Sequence, residues 1–157
     1  PEINRLIQAG PFIRSQRIVL YGPNGVGKST LASKFPAPLF LDTEDGTSRL
    51  NPKRIRALDS DSFHGAVRAL IKAGKLEFET LVLDTVDMAE KYVRDRILRI
   101  HRMNAIEDFG YGKGWTFLRE QFERLLIEFD RLIARGIHVV IIGHSVVKRF
   151  QPPMAVK

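Results

Sequence analysis

The chain alternates short apolar runs with longer amphipathic stretches. "RIVLYG" (17–22) is a β-rich apolar run that ends at glycine, and "PLFLD" (38–42), "TLVLD" (80–84) and "HVVIIG" (138–143) are of the same kind. Apolar runs of this length predict strands, and the continuous ones predict strands buried on both faces. "RIRALD" (54–59) predicts a weaker strand. Helical patterns fall between them. "STLASKF" (29–35) stops before Pro36, where the preceding residue is pushed out of the helical region. "SFHGAVRALIKAG" (62–74) carries Ala66, Val67, Leu70 and Ile71 at helical spacing, with Gly74 as its stop. A further helix is expected from about Met88 to Met103. Residues 116–135 hold one apolar stripe of Phe117, Leu118, Phe122, Leu125, Leu126, Phe129, Leu132 and Ile133, closed by Gly136. "EDFGYGKGW" (107–115), with glycines at alternate positions, predicts a mobile loop, and Trp115 is expected in the core. "QPPMAVK" follows neither period. Strands alternating with helices imply βαβ units, hence an α/β fold with a mainly parallel central sheet between helical layers.

One motif makes the fold specific. "GPNGVGKS" (22–29) matches G-x-x-x-x-G-K-[ST], with a strand before it and a helix after it. The loop of Gly22, Pro23, Asn24, Gly25, Val26 and Gly27 lets the backbone turn tightly and aim its N–H groups at phosphates. Lys28 brings an ammonium to the β- and γ-phosphates. Ser29 offers a hydroxyl to Mg²⁺, and Thr30 can donate to the α-phosphate. ATP and Mg²⁺ are therefore the expected ligands, in a three-layer P-loop NTPase fold. A second acidic group is needed beside such a loop, and Asp84, at the end of "TLVLD", fits that metal-supporting place. An aspartate that merely caps a turn is the plain alternative.

Composition narrows the setting. With 157 residues, 44% hydrophobic and 27% charged, residues 1–157 read as one globular domain. No apolar run approaches the length of a membrane span, and "PEINRLIQAG" lacks a signal pattern. The absence of an initiator Met allows the chain to begin inside a longer product. With no cysteine there are no disulfides, no thiol catalysis and no cysteine metal site, which fits a reducing cytosol. The net charge of +7 is carried by the two ends of the chain, with residues 61–110 near neutral. Such a balance suits a polyanion partner or a solvated surface equally.

The residue after Asp84 is Thr85, where many P-loop ATPases place a catalytic glutamate. The acidic cluster "FLDTEDG" (40–46) offers another source. "LFLDTEDG", "RIRALDSDSFHGAVRALIKAGKLEFETLVLDT" and "VVIIGHSVVKRF", in this order, resemble the RecA family of strand-exchange ATPases, over about residues 15–150. The small size, the "GYGKG" loop and "GHSVVKRF" resemble compact phage-encoded RecA-like ATPases more closely. These are nucleotide-binding AAA-domain proteins, and some are single-strand annealing recombinases.

The resemblance implies a RecA-like core in which Glu44 polarises the attacking water. His144, where the family carries glutamine, would sense the γ-phosphate. It implies single-stranded DNA at two loops, one with Lys113 for a phosphate and with Tyr111 and, if it is not in the core, Trp115 for stacking, the other with Lys148 and Arg149. It further implies a homo-oligomer in which Lys148 or Arg149 can instead act on a neighbour's nucleotide, and work in recombination or annealing in the host cytoplasm. Asp42 is expected near the metal or orienting the loop, and Asp45 in the turn before Gly46. The chain departs from the family in stopping soon after "VVIIGH", so the family's later strands are expected to be lacking or omitted. Two other readings stay open. One is a P-loop kinase of a small molecule or nucleotide, and the other a non-catalytic module switched by nucleotide.

Overall fold

The computed structural model describes residues 14–146 together with Ile3, Ile7 and Gly10. Strands and helices alternate along the chain: β1 (Arg17–Gly22), α1 (Lys28–Ala32), β2 (Pro38–Asp42), β3 (Lys53–Arg56), α2 (Ser60–Lys72), β4 (Thr80–Asp84), α3 (Val86–His101), α4 (Lys113–Ala134) and β5 (His138–His144). Two short 3-10 turns, Gly46–Arg49 and Ile106–Phe109, interrupt the connections. The five strands form one sheet in the order β1-β5-β4-β2-β3, and each of these neighbouring pairs is parallel.

The continuous apolar runs are buried on both faces of that sheet, as parallel strands require. Leu41, Leu81, Leu83, Val139 and Ile141 face α2, α3 and α4, where they meet Phe63, Val93, Leu118, Leu125 and Phe129. Phe40, Val82, Val140 and Ile142 point the other way and pack with Ala32 of α1 and with Ile18, Leu20 and Phe35. The result is the three-layer α/β architecture expected from the alternation.

Element ends differ from the sequence reading where local chemistry overrides periodicity. α1 stops at Ala32, and the chain continues through tighter turns in which Lys34 and Phe35 donate to Leu31 and Ala32. α2 begins earlier than residue 62 because Asp59 accepts from the Ser62 backbone N–H at 2.7 Å, while the Ser62 hydroxyl meets the Asp59 N–H at 3.1 Å. This reciprocal cap fixes the first turn. α3 runs two residues ahead of the expected 88–103, ending where Arg102 adopts a left-handed conformation.

The largest correction concerns residues 107–115. They are not one open loop: the 3-10 turn comes first, then a tight turn at Gly110–Gly112, and α4 already starts at Lys113. Gly114 is buried in the first turn of α4, and a Cβ there would lie 2.1 Å from the Ile106 carbonyl oxygen. Glycine is thus needed for close packing rather than for mobility. Trp115, expected in the core, stands on the exposed side of α4 at 49% exposure.

Candidate nucleotide site

Parallel pairing brings the C-terminal tips of four strands to one edge. Gly22 pairs with His144, Asp84 with Ile142, and Asp42 with Asp84. The loop 22–29 leaves the tip of β1 at this edge. Gly25 and Gly27 take positive φ angles of 78° and 95°, which side chains disfavour. The Lys28 ammonium donates to the Gly22 and Pro23 carbonyls, both at 2.8 Å, so it lies over the loop mouth. α1 has only five residues, so its end adds little dipole, and an anion here would rely on loop amides and Lys28.

The two groups expected to support a metal meet directly. The Ser29 hydroxyl donates to Asp84 Oδ2 at 2.7 Å. Burial raises the Asp84 pKa, and the nearby charges of Asp42 and Glu44 raise it further, while the Ser29 hydroxyl and His144 act the other way. A carboxylate so placed favours a cation or a proton beside it. One hydroxyl and one carboxylate form an oxygen donor set of the hard kind that suits Mg²⁺, which keeps several waters. Ser29 directly follows Lys28 of the phosphate loop and bonds to Asp84, so the residues present fit the ion.

The acidic cluster divides into three different environments. Asp42 is fully buried and accepts from the Thr47 hydroxyl, from the Thr47 N–H at 3.4 Å and from the Glu44 N–H at 3.2 Å. Arg54 lies 3.9 Å from it and donates to the Thr47 hydroxyl at 3.1 Å. Of its two expected places, the bonds give Asp42 the one that orients the loop. Asp45 sits in the turn with φ 58° and pairs with Arg56 at 2.9 Å. Glu44 alone turns back toward β4, where its Oε1 accepts from the Thr85 hydroxyl at 2.7 Å.

That last bond explains the residue after Asp84. Thr85 is buried and accounts for the position of Glu44 rather than supplying a carboxylate itself. A reciprocal link holds it: the Thr85 N–H donates to Thr43 Oγ1 at 2.6 Å and the Thr43 hydroxyl donates to the Thr85 carbonyl at 3.2 Å, while Tyr92 donates to the Thr43 carbonyl at 3.0 Å. The tips of β2 and β4 are therefore laced together by backbone and hydroxyl groups. Sequence reading missed Thr85, Thr43 and Tyr92 in this role, because their partners lie more than forty positions away in the chain.

Asp87 was missed as well. Its Oδ2 accepts from the His144 backbone N–H at 2.9 Å and lies 3.2 Å from the imidazole Nδ1. This orients His144 at the tip of β5, between the tips of β1 and β4. Thr30 lies in α1, immediately after Ser29. Tyr111 is fully exposed in the turn before α4, and Lys113 is the first residue of that helix. Lys148 and Arg149 lie outside the described residues.

A parallel sheet with a phosphate loop after its first strand defines a P-loop NTPase fold. The model of the AAA domain family matches residues 14–156, and the chain belongs to that family. This makes it a nucleotide-binding P-loop protein, with ATP the implied nucleotide. It is also similar to an SPbeta prophage-derived uncharacterized protein, YorG, of Bacillus subtilis (strain 168), with 26% identity over 133 residues. That match covers 82% of this chain and 40% of the relative, so the chain spans about two fifths of the relative's length. Among the described residues no helix is long and apolar enough to cross a membrane.

Proposed function

We propose that this chain is a Mg²⁺-dependent ATPase with a RecA-like core, one domain over residues 1–157, that couples ATP hydrolysis to single-stranded DNA. The observation that carries the reading is Glu44, held by the Thr85 hydroxyl at the strand-tip edge that also bears Lys28, Ser29 and Asp84. A base is absent from the position after Asp84, and the tip of the neighbouring strand offers one. Lys28 and the loop amides bind the triphosphate. Glu44, with Oε1 engaged by Thr85, accepts the proton of the attacking water. The water oxygen bonds to the γ-phosphorus while the bond to the bridging oxygen breaks, giving ADP and phosphate. The imidazole of His144, oriented by Asp87, meets the γ-phosphate. Ser29 and Asp84 would hold Mg²⁺, which when bound neutralises the phosphate charge.

The DNA part rests on charge and on one turn. The chain carries a net +7, and Tyr111 and Lys113 pair an exposed ring with a cation, the combination that suits single strands. Lys148 and Arg149 are assigned to the same ligand, or to a neighbour's nucleotide in a homo-oligomer. The similarity to a prophage-derived protein supports a phage setting, and the place in recombination or annealing, in the host cytoplasm, rests on the resemblance to RecA-type ATPases. The test is ATP turnover with and without single-stranded DNA, on the wild type and on Glu44→Gln. Turnover stimulated by DNA and lost in Glu44→Gln, with ATP binding kept, is the expected result. Full turnover by that variant sinks the base assignment, and turnover indifferent to DNA sinks the coupling.

A further inference from the structure

Away from the strand tips, α2, α3 and α4 enclose a groove of about 660 Å³. None of the residues assigned above to nucleotide, metal or catalysis lines it. Its apolar lining is largely aliphatic, with Val67, Ile71, Val93, Ile97, Ile100 and Leu125, and Ile100 is 63% exposed. Cations surround this floor from all three helices: Arg68 and Lys72 on α2, Arg96 on α3, Arg124 and Arg131 on α4. Arg131 is paired with Glu128, the single acidic residue of the lining. Arg68, Lys72, Arg96 and Arg124 have no ion pair or hydrogen bond among the described residues. Arg68 and Arg96 line the groove together with His64, whose buried Nε2 is without a hydrogen-bond partner among the described residues. Like charges gathered beside an unpartnered ring nitrogen are unfavourable unless an anion joins them.

We propose that this groove is a docking site for an acidic amphipathic helix of a partner protein. Charge complementarity selects the sign, since four unpaired cations flank the floor and one paired acid opposes them. Shape selects a helix. The lining extends along α4 from Phe117 to Arg131, a span of about 21 Å, which suits roughly fourteen helical residues. An apolar face at i, i+3, i+4 and i+7 then meets the aliphatic floor, while flanking carboxylates reach the guanidinium rim. The groove suits bases less well. Its aromatic rings are engaged with each other, His101 stacking on Phe117 at 5.5 Å, so no free ring is offered to a nucleotide.

The test uses the whole chain and a labelled sixteen-residue helical peptide with leucines at that spacing and glutamates beside them. A second peptide carries lysine for each glutamate, and an oligo(dT) strand serves as the nucleic-acid probe. The acidic peptide is expected to bind, weakening with salt, and the lysine peptide not to. Arg68→Glu with Arg96→Glu is expected to weaken the acidic peptide about tenfold or more, with an unchanged melting temperature. Ile100→Ser, at an exposed position, is expected to weaken it several-fold. Lys28→Ala, which disables the nucleotide site, is expected to leave it unchanged, so this site and the ATPase reading fail separately. Equal binding of both peptides, no binding of either, or an affinity unmoved by the charge reversal overturns the proposal. Oligo(dT) binding lost in the same reversal, without peptide binding, assigns the groove to nucleic acid instead.

Discussion

Asp42 and Asp84 stand side by side, paired in register at the tips of β2 and β4, yet they do opposite work. Asp42 is fully buried, and its carboxylate is saturated by Thr47, the Glu44 N–H and Arg54. The Asp84 carboxylate accepts a single hydrogen bond among the described residues, from Ser29, and its pKa is raised. A satisfied buried carboxylate stabilises a turn. An under-satisfied one, pushed by burial and by neighbouring acids, favours a cation or a proton. Glu44 is held by a hydroxyl on one oxygen only. The difference shows that the acidic cluster is divided by its partners, not by its spacing.

The comparison is broken most sharply at Glu44. Removing its charge as Glu44→Gln is expected to lower ATP turnover roughly a hundred- to ten-thousandfold with nucleotide affinity kept, read by phosphate release and by equilibrium binding. Asp42→Ala should act on folding instead. It leaves Thr47 and Arg54 without their buried acceptor, at a cost of about 3 kcal/mol in urea unfolding. A loss of turnover in a still-stable Asp42→Ala protein would move Asp42 into the site. Thr85→Val keeps the shape but removes the hydroxyl that holds Glu44. Turnover is expected to fall about tenfold with an unchanged KM for ATP, and an unchanged rate would make Thr85 a packing residue only.

The smallest effect concerns pH. Because the folded pKa of Asp84 lies above its ordinary value, this group favours the fold most when protonated, and that contribution is lost as pH rises through the folded pKa. Asp84→Asn is therefore expected to melt higher than the wild type at neutral pH, in nucleotide-free buffer. That gain should shrink as the pH is lowered toward the ordinary carboxylate range. Asp59 supplies the opposite sign. Its pKa is lowered by the Ser62 N–H and hydroxyl, so its contribution is present above the ordinary value and fades as pH falls through the lowered one. A melting profile for Asp59→Asn parallel to that of Asp84→Asn would overturn the contrast.

By itself the sequence determined the architecture and the phosphate loop. Both rest on interactions local in the chain: apolar runs that must be buried, helical stripes, and glycines that alone accept the loop's turns. It also brought Asp84 forward, since a strand end is legible where an apolar run meets a polar residue, while Glu44 and His144 came forward through the resemblance to RecA-type ATPases. What only the tertiary structure decided are the partnerships that give these residues their work. Thr85 holds Glu44 across 41 positions, Asp87 orients His144 across 57, and Asp42 closes its own turn. The loop at 107–115 became a packed turn because Gly114 meets the Ile106 carbonyl, a contact that spacing of glycines cannot express. The basic groove likewise exists only once three helices lie against one sheet. Its cations are scattered from Arg68 to Arg131, and no window of sequence gathers them. Local patterns report burial and backbone conformation. Which side chain meets which is settled by strand order and register, and these form only when distant segments pack.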